Sequence, residues 1–239
     1  PARFNRLARA VFPWSLGITV LCLVVGVPWA LVFSPADYQQ GESVRIMYVP
    51  VPAAWGAMMA YTALTVASFV SFVWRHNLAD SAARSFARCG AAFTFLALTT
   101  GSLWGKPTWG TWWQWDGRMT SVLVLFFIYI AYLAVWEMID DKKRAARLAA
   151  ILAMVGFINI PIIKFSVEWW NSLHQPATIS KIGAPGLPAD MLWPLGIMFV
   201  AYTALFGWLS LKNIRADILA LRRKRKTETS GARPKMEAL

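Results

Sequence analysis

Long apolar runs separated by short polar segments dominate the chain. Six runs, at about 12–34, 50–74, 86–104, 119–139, 148–164 and 191–212, approach or exceed the roughly 20 residues that a helix needs to cross a bilayer. Each predicts a spanning helix, so the pattern reads as an all-α polytopic membrane protein. The first run is too long for the core of a signal peptide, and no small-residue cleavage site follows it, so it is expected to be a retained helix. Pro50 and Pro52 fit a helix start, where a missing N–H does no harm.

The polar segments fall into two classes that alternate. One class is basic: Arg3, Arg6 and Arg9; Arg75 and Arg84; Lys142, Lys143, Arg144 and Arg147; and everything after Lys212, which includes the run Arg222, Arg223, Lys224, Arg225, Lys226. The segments 35–49, 105–118 and 165–190 are poor in basic residues. Cytoplasmic loops carry the excess of Lys and Arg, so both termini are expected in the cytoplasm and the three poor segments on the outer side. The expected organisation is a six-helix membrane domain at 1–212 and a basic cytoplasmic tail at 213–239.

Composition agrees. The apolar fraction is 57% and the charged fraction only 15%, against about a quarter charged in soluble domains. The net charge of +12 is accounted for by orientation and by contact of the tail with anionic membrane lipid, and predicts no nucleic-acid partner. Cys22 and Cys89 form neither a C-x-x-C nor a C-x-x-C-H motif, which removes a thiol redox site and a covalent c-type haem site. No mid-membrane carboxylate pair is present, which weakens an ion-pump reading.

One outward segment stands apart. Trp104, Trp109, Trp112, Trp113 and Trp115 fall within twelve residues and end on Asp116. An interfacial belt spreads its tryptophans around a protein, as Trp14, Trp29, Trp136, Trp193 and Trp208 do; this loop concentrates them. Trp is large, flat and carries a single N–H donor, so the cluster suits a flat, mostly apolar ligand. Asp116 is placed to cap the following helix or to touch that ligand. The next outward segment adds Trp169, Trp170, Glu168 and His174. Imidazole is a common axial ligand of haem iron, whereas zinc would need further His or Cys on that side. His76, the other histidine, falls at the cytoplasmic end of the second run. Glu137 reads as a boundary residue.

The stretches RIMYVPVPAAW, LTTGSLWGKPTWGTWWQWD and NIPIIKFSVEWWNSLHQP, over nearly the whole chain, resemble the CcmC family, the haem exporter protein C of cytochrome c maturation, with its tryptophan-rich WWD signature. The resemblance implies a haem-handling subunit of the bacterial inner membrane, not an enzyme, with its site facing the periplasm. It implies transient binding of haem b, presentation to the haem chaperone CcmE for covalent attachment, and work alongside CcmD and a CcmA–CcmB ATPase module. It also implies a site built from the tryptophan loop and two flanking histidines. The second maps onto His174, the expected axial ligand, beside Trp104, Trp109, Trp112, Trp113, Trp115, Asp116, Trp169 and Trp170. The first falls on Pro50, which has no donor atom in its side chain; Met47 and Tyr48 are the nearby candidates. Competing readings are a membrane subunit of a haem transport channel and a redox cytochrome, and the latter needs a ligand pair inside the bundle.

Overall fold

A computed structural model of the chain describes residues 2–170 and 187–231. Among them are seven α-helices and no strand: α1 (Ala2–Pro28), α2 (Pro50–Trp74), α3 (Asn77–Trp109), α4 (Gly117–Met138), α5 (Lys142–Gly156), α6 (Asn159–Trp169) and α7 (Ala189–Gly231). A π-helical turn, Trp29–Phe33, ends α1, and a 3-10 turn, Glu42–Tyr48, leads into α2. Five helical stretches are long and apolar enough to cross a membrane: Ala8–Phe33, Glu42–Trp74, Gly117–Met138, Lys142–Trp169 and Ala189–Ala220. The protein is therefore a multi-pass, all-α membrane protein.

The sixth expected span is α3, which is much longer than 86–104 and less apolar than the others. Its position explains this. It packs on α2, α4 and α7, and its buried face is Ser81, Ala83, Ser85, Ala87, Gly90, Ala91, Thr94 and Ala97 with one large residue, Phe93. Small residues let helix backbones approach closely where lipid offers no competing hydrophobic drive. Tyrosines fill the space so created. Gly90 lies directly beneath Tyr129, whose hydroxyl donates to the Ala57 carbonyl at 2.7 Å; Gly156 lies beneath Tyr61, whose hydroxyl donates to the Ala153 carbonyl at 3.1 Å. The two rings meet edge to face at 5.2 Å. Together with Tyr48, Tyr132, Leu64 and Leu125, all fully buried, they close the centre of the bundle.

Two expectations change and two gain detail. The segment after the second run is not a basic loop: only Arg75 and His76 interrupt the helices, and Arg84 belongs to α3, where it stacks 4.6 Å from the Trp136 ring and pairs with Asp217 of α7 at 3.6 Å. The run 148–164 falls inside the span Lys142–Trp169 and passes from α5 to α6 through a turn at Phe157 and Ile158, just before Pro161, which cannot donate the N–H that would reach the Phe157 carbonyl. The stretch 213–231 continues α7 without a break. The tryptophan-rich segment is half helix, since α3 runs through Trp104 to Trp109 and only 110–116 leaves helical geometry.

Candidate functional site

The tryptophans gather at the end of the bundle opposite Arg75, Lys142 and Lys143, where α3 ends and α2, α4 and α7 begin. α3 stops at Gly110, whose φ of 78° is the left-handed conformation that glycine adopts freely; its N–H donates to the Lys106 carbonyl at 3.0 Å. Gly105 is buried one turn earlier. A Cβ there would lie 3.2 Å from both the Thr111 carbonyl and the Trp109 ring, so glycine is what lets the loop fold back over its own helix.

Three connecting segments, those before α2, before α4 and after α6, are fastened together around this turn. Trp104 Nε1 donates to Gln40 Oε1 at 3.1 Å. Gln40 is itself held by Asp37, whose carboxylate accepts from the Gln39 and Gln40 N–H groups at 2.9 Å each. That joins the segment before α2 to the tryptophan segment before α4. Gly117 joins the latter to the segment after α6: a Cβ there would lie 3.0 Å from the Trp170 ring and 3.2 Å from Ser166 Cβ. Asn159 Nδ2 also donates to the Ser121 carbonyl at 2.8 Å, which ties α6 to α4. Within the platform Trp104 and Trp109 sit with ring centroids 6.1 Å apart, Trp113 and Trp115 meet edge to face at 5.4 Å, and Trp169 stacks on Phe165 at 5.7 Å while touching Trp170 at 6.0 Å.

The platform is open. Trp112, Trp115, Trp169 and Trp170 are each more than half exposed. Trp113 is half-buried, and its Nε1 is enclosed without a hydrogen-bond partner. Two open clefts, of about 660 and 480 Å³, lie elsewhere, around Trp55 and Phe86 and around Trp29 and Phe33.

Asp116 is buried and caps α4, its carboxylate accepting from the Met119 N–H at 2.8 Å. A negative group there also offsets the positive end of the helix dipole. Arg118 follows one residue into the helix. Pro50 is the first residue of α2 and is buried; the space beside Gly101, one turn before Trp104, is bounded by Pro50 Cβ at 4.0 Å. Position 50 therefore faces α3 about one turn before Trp104. Met47 and Tyr48 are buried in the core cluster, which does not present them on the platform surface. His76 is exposed at the far end, before α3. His174 lies outside the described residues. No group of three or more potential metal ligands occurs among the described residues.

Gln40, Gly105, Gly117 and Phe165 were not legible as site residues beforehand. The glycines gave the one available signal, each standing next to a Trp or an Asp in a segment rich in tryptophan.

Comparison with known proteins follows the same lines. A family model described as "Heme exporter protein C" matches residues 1–229. "Heme exporter protein C" of Bradyrhizobium diazoefficiens is 51% identical over 222 residues, covering 93% of this chain and 84% of that one. Its namesake from Escherichia coli K12 is 43% identical over 227 residues, covering 94% and 91%. A putative cytochrome c biosynthesis ccmC-like mitochondrial protein of Marchantia polymorpha is 42% identical over 223 residues, covering 93% of each.

Proposed function

The chain belongs to the haem exporter protein C family, which handles haem for cytochrome c maturation, and from that premise we propose that it holds haem b transiently on the tryptophan platform, at the periplasmic face of the inner membrane, and presents it to the chaperone CcmE. The observation that carries this reading is the fastening of the three connecting segments around exposed tryptophans, through Trp104–Gln40 and Gly117–Trp170. CcmD and the CcmA–CcmB module are the expected companions, with ATP hydrolysis in the latter.

The residues fit a porphyrin in character. The exposed indole faces offer apolar area, and Trp113 Nε1 is a donor without a partner. Two indole faces covering roughly 160 Å² of apolar ligand surface would contribute about 4 kcal/mol at ~25 cal/mol per Å². That reaches only the low end of the roughly 4–15 kcal/mol that association costs. Stacking alone orients the ligand without retaining it, so the axial bond decides residence. We assign that bond to His174. With Pro50 in place of a second imidazole, the site supplies one protein ligand on this count and releases its cargo more readily than a two-histidine site would.

The channel reading is disfavoured by the closed centre, where Tyr48, Tyr61, Tyr129 and Tyr132 are fully buried. The handover is tested by mixing haem-loaded protein with apo-CcmE and following covalent haem on the chaperone. Transfer that depends on the loaded chain supports the proposal; equal labelling of CcmE by free haem, with and without the chain, rejects it.

A further inference from the structure

At the end of the bundle opposite the tryptophans, α1 begins and α7 leaves its span. α1 packs chiefly on α7. Its buried face recurs at Ala8, Ser15 and Thr19. The two hydroxyls bond back into α1 itself, Ser15 to the Phe12 carbonyl at 3.0 Å and Thr19 to the Ser15 carbonyl at 2.7 Å, so neither fastens one helix to the other. An aromatic pair crosses the joint instead. Phe12 of α1 meets Trp208 of α7 with ring centroids 5.9 Å apart.

Two cations flank this pair. Lys212 Nζ lies 5.2 Å from the Trp208 ring centroid, and the Arg215 guanidinium lies 5.3 Å from that of Phe12. Trp208, Lys212 and Arg215 stand four and three residues apart, which puts them on one stripe of α7. The result is a ladder of cation, ring, ring and cation across two helices. The ring quadrupole attracts a cation placed over its face, and the apolar stem of each side chain packs while its charge reaches outward. Neither cation has a carboxylate within ion-pair distance among the described residues. Asp217, only two residues past Arg215, is committed to Arg84 and Arg88 of α3 at 3.6 and 3.4 Å.

Depth and charge name the ligand chemistry. Phe12 lies in the second turn of the span Ala8–Phe33, and Lys212 and Arg215 lie in the last three turns of the span Ala189–Ala220. That is the level of the lipid headgroups. A guanidinium matches two phosphate oxygens with its fork, and an ammonium adds a compact charge. Basic pockets between spanning helices take phospholipid headgroups in this way. We propose that Lys212 and Arg215, braced on Trp208 and Phe12, form a site for the phosphate of an anionic phospholipid, and that the bound lipid fastens α1 to α7. The site is separate from the run Arg222–Lys226, which stands beyond the span, and it does not depend on the haem reading.

The test uses the full chain in mixed micelles that contain phosphatidylglycerol or, as the neutral reference, phosphatidylcholine. The thermal unfolding midpoint should be about 3–5 °C higher in phosphatidylglycerol, as expected of a ligand that binds only the folded form. Native mass spectrometry should show phosphatidylglycerol retained on the chain. Lys212→Gln with Arg215→Gln should lose both the shift and the retained lipid, while unfolding within about 2 °C of the parent in phosphatidylcholine. Lys212→Arg with Arg215→Lys, which keeps the charges, should keep both readouts. So should Arg222→Gln with Arg223→Gln in the tail. Equal midpoints in the two lipids overturn the proposal, as does a shift that survives in the paired glutamine variant at 212 and 215. Loss of the shift in the tail variant moves the lipid to the tail and overturns the ladder site. A glutamine variant already unstable in phosphatidylcholine leaves the two cations a purely structural role and overturns it as well. Equal stabilisation by inorganic phosphate in phosphatidylcholine makes the occupant a soluble anion and overturns the lipid.

Discussion

Replacing Gly117 by Ala separates the platform from the fold. The added Cβ would lie 3.0 Å from the Trp170 ring and 3.2 Å from Ser166 Cβ, a few tenths of an ångström too close. Overpacking a core costs about 1–3 kcal/mol when the neighbours cannot yield. Trp170 can yield, being 54% exposed, and alanine returns up to about 1 kcal/mol of helix propensity over glycine. The net change in stability should stay within about 1 kcal/mol. The displaced indole, however, no longer covers the ligand. Losing one face, roughly 80 Å², removes about 2 kcal/mol at ~25 cal/mol per Å², or about 30-fold in residence at 1.4 kcal/mol per tenfold. The assay pairs thermal unfolding of the detergent-purified protein with haem loss to apomyoglobin. Unchanged loss, or a stability drop above about 2 kcal/mol, would refute the assignment of Trp170 to a yielding, ligand-covering position.

Gly90→Ala should behave in the opposite way: its Cβ would overlap the ring of Tyr129, which is fully buried and bonded to Ala57, so strain and a lost hydrogen bond together should cost about 2–5 kcal/mol, read by denaturant unfolding in mixed micelles. Asp116→Ala removes the bond to the Met119 N–H and should lower stability by about 0.5–2 kcal/mol, measured the same way, with a smaller effect on haem loss than Gly117→Ala. Pro50→His places an imidazole beside Gly101 and one turn from Trp104, and should convert bound haem to a six-coordinate, low-spin form with higher occupancy; an unchanged absorption spectrum and occupancy would contradict a site that borders position 50.

Much of the architecture could be read from hydropathy, because lipid forces apolar runs onto every helix it touches. The same physics accounts for the elements that hydropathy does not mark. α3 packs on α2, α4 and α7 through small and polar residues, so hydropathy does not mark its ends and its helix extends through Trp109. The Gly156 and Pro161 pair carried the signal for the α5–α6 break, but an unbroken apolar run outweighed it. The tryptophans and Asp116 announced themselves by density. Gln40 and Gly117 did not, since their importance lies in what they touch, and contacts across more than 50 residues leave no local pattern. The placement of Met47 and Tyr48 in the core was likewise invisible to spacing alone.

The central claim is that the outer platform holds haem through His174. Its most direct test is the absorption spectrum of the haem-loaded, detergent-purified protein beside that of His174→Ala. The account predicts a clear Soret band in the parent chain and its loss, or a shift to loosely held free haem, in the variant. Full retention of the same spectrum by His174→Ala would contradict it.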